Sequence, residues 1–164
     1  MRRNFLLAAL LAASAAQAQL VPPDPEWQEH APPPPPPLRT HGLIPLDMPG
    51  SSLRWGVDPA SVSVGSDQVV RYVVVASGPQ TVTGLYEGLR CQTGEVKVYM
   101  RHNGSEWQPA TGGEWKPLRD MAATRHSMQI ARGGACMGRS AGLSPDHVVR
   151  ALRAPQDGRD SPRQ

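Results

Sequence analysis

Cys91 and Cys136 are the only cysteines in the 164-residue chain, and three kinds of chemistry are open to them. A nucleophile needs Cys91 as a thiolate beside an imidazole, with a third group orienting the ring; His102 and His126 are the histidines on offer. A soft ion such as cuprous copper takes Cys, Met and His, and His126-Ser127-Met128 near Met121 supplies that mix. A disulfide consumes both thiols, and in an exported protein two cysteines with no others most often form one. No family-specific catalytic sequence surrounds Cys91, and no zinc-type ligand spacing accompanies it. Met121 and Met128 are seven apart, the ordinary spacing of core residues on a helix, which puts His126 off that stripe and toward solvent. A Cys91–Cys136 disulfide is therefore the leading reading. Its closure of a loop of about 46 residues is worth about 4 kcal/mol on chain-entropy arithmetic. The alternative is a thiol- or metal-dependent periplasmic enzyme or metal handler using Cys91 with His102 or His126.

Other reactive constellations are sparse. The chain has no phosphate-cradling glycine loop, no G-x-S-x-G elbow and no H-E-x-x-H pair. Glu87 and Glu95 flank Cys91 and form a carboxylate pair only in sequence; separate strand ends explain them equally well. No catalytic residue, metal ligand or cofactor is singled out. The aromatic side chains Trp55, Trp107, Trp115, Tyr72, Tyr86 and Tyr99 either supply the bulk of the core or line a groove for a sugar or peptide. If binding is the task, the expected ligand surface is Tyr99, Arg101, Trp107 and Trp115, around one hairpin.

The elements that must position these groups lie between two unlike ends. Arg2 and Arg3, the apolar run 5–16 and the Ala16-Gln17-Ala18 site read as a secretory signal cleaved near Ala18. About 12 apolar residues are too few to span a bilayer, and no second apolar run follows. The expected location is periplasmic. Without Arg2 and Arg3 the chain carries 15 basic and 14 acidic residues, net +1, with arginines spread from Arg39 to Arg163. That charge pattern gives no support for nucleic acid as a partner and leaves an envelope protein or a cell-wall component. Residues 19–50 hold Pro22, Pro23, Pro25, Pro32 to Pro37, Pro45 and Pro49, and are expected to be a largely disordered linker. The six-proline run is a polyproline II rod of about 19 Å, usable as a spacer or as a ligand for an aromatic groove. Residues 155–164 are expected to be a disordered tail, leaving 51–154 as one domain.

Within that domain the pattern is strands first and helices last. Residues 61–77 alternate at Val62 and Val64, break at Gly65-Ser66-Asp67 and resume through Val69, Tyr72 and Val73 to Val75, a hairpin whose second strand is apolar on both faces and hence central. Gly84 and Gly88 in the next strand suggest a bulge or a close backbone approach. Val96, Val98 and Met100 then alternate with Lys97, Tyr99 and Arg101, ahead of an Asn103-Gly104 type I′ turn and a return strand carrying Trp107. Helix formers with apolar residues at Leu118, Met121, Ala122, Met128 and Ala131 predict a helix of about three turns ending at Gly133-Gly134. Ser144 caps and Pro145 opens another, with Val148, Val149 and Leu152 on one face. The fold class is α+β: an antiparallel meander of about four to six strands, one or two helices C-terminal to it, and a single disulfide.

These strings carry a resemblance. "VDPASVSVGSDQVVRYVVV", Glu87-Gly88, Arg90-Cys91 and Gly94, then Trp107, Trp115 and Cys136, resemble the cryptic-neisserial-protein-like family of exported bacterial proteins, from about Trp55 to Cys136. The resemblance implies a periplasmic or envelope protein and brings with it no activity, substrate or cofactor.

Overall fold

The computed structural model describes residues 27–119 and 121–154. Its frame is an antiparallel sheet of eight strands: β1 (Ile44–Leu46), β2 (Arg54–Val57), β3 (Ser63–Val64), β4 (Val69–Ser77), β5 (Val82–Arg90), β6 (Glu95–His102), β7 (Trp107–Pro109) and β8 (Lys116–Pro117). The spatial order is β1-β2-β4-β5-β6-β7, with β3 also on β4 and β8 also on β6. Three long central strands are thus flanked on each side by an edge made of two short pieces. Such interrupted edges offer little template for pairing with another chain.

The breaks have local causes. Between β2 and β3, Asp58 caps a 3₁₀ turn at Pro59–Ser61 by accepting from Ala60 N. The Ser61 hydroxyl donates to Asp58 O at 2.7 Å and accepts from Val73 N at 2.7 Å. It therefore satisfies a β4 amide where the edge strand is interrupted.

β4 is central, as its two-sided apolar run requires. Val70, Tyr72 and Val74 face one core with Leu85, Leu89 and Val96, while Val73 and Val75 face a second with Tyr86. The first core is closed by α1 (Arg125–Ile130), a π-helical turn at Ala131–Ala135, and α2 (Pro145–Arg153). α2 begins as its sequence dictates, with Ser144 Oγ accepting from His147 N and Pro145 in the first turn. A two-stranded ribbon, β9 (Cys136–Met137) with β10 (Ser140–Ala141), joins the helices.

Several expectations are corrected. The expected helix is shorter, starting at Arg125, and its last turn is the π turn, in which helical backbone gives way at Gly134, at the expected glycine pair. Gly134 has φ +128, and a Cβ there would collide with Ala151 of α2. The Asn103-Gly104 turn is not type I′, since only Gly104 has positive φ; Asn103 Oδ1 instead accepts from Ser105 N and Glu106 N. Residues 27–50, expected to be linker, contain β1 and a strap of chain laid across the second face of the sheet, where Leu38 and Leu43 pack on Val73, Val75 and Tyr86. The expected signal (1–18) and tail (155–164) lie outside the described residues.

Candidate functional site

Cys91 follows β5 directly and is bonded to Cys136 of β9, with Cα atoms 5.6 Å apart. The bridge ties the end of the sheet to the chain leaving the π turn. Both thiols are consumed, so the readings that need a Cys91 thiolate lose their nucleophile or ligand in this state. Neither expected histidine partner sits beside it. His102 pairs with Gly84 at the far end of the β5–β6 ladder from Arg90 and Glu95, and His126 is engaged with Glu87.

Three of the four residues expected to form a ligand surface do share one face. Tyr99 and Trp107 pack on the second core, and Trp115 stands beside Lys97 on the same side. All three are half-buried, because the strap lies on them. Trp107 Nε1 donates to Pro36 O at 3.0 Å, Trp115 Nε1 donates to Glu29 Oε2 at 3.1 Å, and Lys97 Nζ donates to the same oxygen at 2.8 Å. Glycine makes room on this face: a Cβ at Gly84 would meet Leu38 of the strap and Trp107, and one at Gly88 would meet the Tyr99 ring of the neighbouring strand.

The strap's other end is fixed by charge. Asp67 accepts from Arg71 through both oxygens, at 3.1 and 2.6 Å, and from His30 N and Val69 N. Arg71 also donates to His30 O at 2.9 Å, and Trp27 Nε1 donates to Asp67 O at 2.9 Å. Burial alone would raise the Asp67 carboxyl, but the Arg71 and amide hydrogen bonds outweigh it and hold the group below the usual carboxylate range. Glu29 follows the same pattern, with burial opposed by Lys97, Tyr99 and Trp115 and the net shift downward. The Tyr99 phenol is pushed well up by burial and by the Glu29 carboxylate.

Arg101, the fourth expected member, is on the other face. The register shifts between Tyr86 and Glu87: Tyr86 opposes Met100 while Glu87 opposes Val98. This bulge absorbs Tyr99 and inverts the alternation beyond it. Met100 joins the second core, and Arg101 turns toward Glu87.

Beneath Arg101 lies an arrangement that sequence reasoning missed. Glu87 is 1% exposed and accepts from Tyr72 Oη at 2.9 Å, Ser127 Oγ at 3.0 Å and His126 Nε2 at 2.8 Å. A carboxylate only accepts, so the Nε2 proton of His126 is assigned by its partner. His126, expected in solvent, is 3% exposed and stacks on Trp55 with centroids 4.6 Å apart. Met121, expected in the core, precedes the helix and is 54% exposed. A cavity of about 80 Å³ reaches Glu87 and Ser127 from a mouth bearing Arg101, Glu114 and Lys116. The one signal available in sequence was Glu87 itself, an acid midway between inward-facing Leu85 and Leu89, a position that demands buried partners. The Tyr72 phenol is raised well above its ordinary range by burial and by Glu87. Ser127 donates to the carboxylate and not to His126, so the cluster is not a serine–histidine nucleophile pair.

No helix among the described residues is long and apolar enough to cross a membrane. Fold and site together define a disulfide-stapled α+β domain whose sheet is covered on one face by its helices and on the other by its own proline-rich strap. The chain belongs to the CNP1-like family, whose model matches residues 23–153. The matched region begins ahead of the strap and so includes it. No curated protein and no solved structure matches the chain.

Proposed function

We propose that the protein is exported to the periplasm, with its signal removed near Ala18, and serves there as a non-enzymatic binding or structural module whose Tyr99–Trp107–Trp115 face holds extended, proline-rich chain. The carrying observation is the indole of Trp107 donating to the Pro36 carbonyl beside a six-proline run. A Trp N–H aimed at a carbonyl of a proline-rich segment on an aromatic face is a general mode of polyproline recognition, because prolines lack amide donors and present their carbonyls outward. Here the bound segment is the chain's own. The reactive groups are engaged elsewhere, the cysteines in the disulfide and Glu87 with three donors. An envelope protein or cell-wall component remains the partner class that suits the compartment.

The test is hydrogen exchange on the full chain and on Trp107→Ala, followed by titration with a synthetic peptide of residues 27–43. Amides of the strap should lose protection in the variant, and the peptide should bind a further variant, Pro36→Gly with Trp107 intact, at lower concentration than it binds the parent. Strap protection unchanged by Trp107→Ala, or no peptide binding to either protein, overturns the reading. Intact mass of periplasmic material starting at Gln19 tests the export step, and a mass retaining Met1 refutes it.

A further inference from the structure

A second site lies where the strap begins, independent of the polyproline reading. A groove of about 390 Å³ opens between the β3–β4 turn and the β9–β10 ribbon, lined among others by Trp27, Gln68, Arg90, Gln92, Arg139 and Ser140. That volume is within the range of small-molecule sites, about 300–1,000 Å³. Two guanidinium groups face it. The Arg90 guanidinium carbon sits over the Trp27 indole, 3.7 Å from the ring centroid. The indole contact holds the guanidinium in place and keeps its fork able to take a planar or tetrahedral oxyanion. Its nearest acid, Glu95, is 3.8 Å away, and its Nε is buried with no hydrogen-bond partner. Arg139 spends only Nε, donated to Gln92 O at 3.0 Å, which anchors the side chain and leaves its terminal nitrogens available. Asp67, the one acid among the described residues that line the groove, is already saturated by Arg71 and two amides. Among the described residues the groove therefore presents Arg139 with no acid of its own and Arg90 with only the long contact to Glu95.

Gln68 supplies the other observation. It has φ +62, the only described non-glycine residue with positive φ, in a turn closed by Gln68 N donating to Gly65 O. Glycine would occupy that position without strain. A long amide side chain held there against backbone preference, in the wall of a groove, is the pattern of strain kept at a binding site.

We propose that the Arg90–Arg139 groove binds a small oxyanion-bearing ligand, a carboxylate or a phosphate, through both guanidinium forks with Gln68 as a further donor. Titration calorimetry of the full oxidised chain with inorganic phosphate and with glucuronate, glucose serving as the neutral control, tests it. Saturable binding of either anion and none of glucose is expected; phosphate alone marks the phosphate source, and tighter glucuronate marks a sugar acid. Arg139 is exposed, so Arg139→Ala should fold normally and bind at least about tenfold more weakly. Arg139→Lys should recover only part of that loss, and Arg54→Ala, beside Ser77 at the far end of β4, should leave binding unchanged. Gln68→Gly should weaken binding severalfold while the melting temperature holds or rises, a combination that a purely structural residue would not give. No saturable binding of either anion up to about 20 mM, or equal binding by Arg139→Ala, overturns the proposal.

Discussion

Replacing Glu87 tests whether the buried polar cluster is a satisfied network or a set of incidental contacts. Glu87→Ala removes the acceptor for Tyr72 Oη, Ser127 Oγ and His126 Nε2, all in residues no more than 3% exposed. Each buried polar group left unpaired costs about 1–3 kcal/mol. Ser127 lines the cavity of about 80 Å³ and can be rescued by water entering there. Tyr72 and His126 do not line it, so two groups bear the full penalty. Together these come to about 2–6 kcal/mol; the return of the carboxylate's own desolvation cost offsets part of this, leaving an expected loss of about 2–4 kcal/mol. Glu87→Gln should cost less, about 1–2 kcal/mol, because both hydroxyls can rotate and His126 can switch tautomer to accept from the amide. Urea unfolding of the oxidised protein, with constant m-values, measures all three proteins. A cycle with Tyr72→Phe should show coupling of about 1 kcal/mol or more. A loss under about 1 kcal/mol for Glu87→Ala, or equal losses for the two variants, refutes the network.

Three further outcomes follow from the geometry. Reducing the Cys91–Cys136 bond, or replacing both residues with serine, should lower unfolding free energy by about 4 kcal/mol for a sequence separation of 45, measured by urea with and without reductant; a change below about 1 kcal/mol contradicts a structural role. Gly134→Ala combines positive φ with collision against Ala151 and should cost more than about 2 kcal/mol, whereas Gly112→Ala, with φ +71 and open space, should cost about 1; similar melting temperatures for the two would refute the packing argument. Asp67 titrates below its unfolded value, so its contribution is fully present above the unfolded carboxylate range, about pH 4, and is lost as pH falls through the lower folded value. Trp27 fluorescence should report the strap's release on that acid limb, and Asp67→Asn should flatten the limb; an unchanged profile counts against the Asp67 anchor.

What could be read from sequence was whatever depended on local chemistry. Val69–Ser77 announces a central strand because it is apolar on both faces, and Ser144-Pro145 announces α2 because cap and first turn are adjacent residues. The errors arose where a distant element decides. Counting from Met121 to Met128 assumes an uninterrupted helix; the helix begins at Arg125, and the inward residues are His126 and Ser127 because Glu87 stands opposite. Plain alternation puts Arg101 on Tyr99's face; the bulge that moves it lies opposite the stretch between Gly84 and Gly88, glycines that signal an irregularity without saying which facing residue it displaces. Trp27, Leu38 and Leu43 give no sign in sequence of their packing, because the prolines around them dominate the composition of the segment.

The overlooked strap follows from the strand that was read correctly. A strand buried on both faces needs a second cover, and the elements expected C-terminal to the sheet can cover only one face. Val73 and Val75 are at most 1% exposed, and the side chains that meet them from outside the long strands include Leu38 and Leu43. The prolines suit this task, since a segment without free amides can cross a sheet face without leaving buried donors unpaired, its carbonyls turned to partners such as the Trp107 indole. Residues 27–43 are therefore part of the folding unit and not a tether to it. On the proposed reading, recognition and stability would be coupled on this face: a partner taking the strap's place would have to cover Val73, Val75 and Tyr86 as well as match Trp107, so the expected ligand is proline-rich chain carrying an apolar residue two positions after the bound carbonyl, as Leu38 follows Pro36.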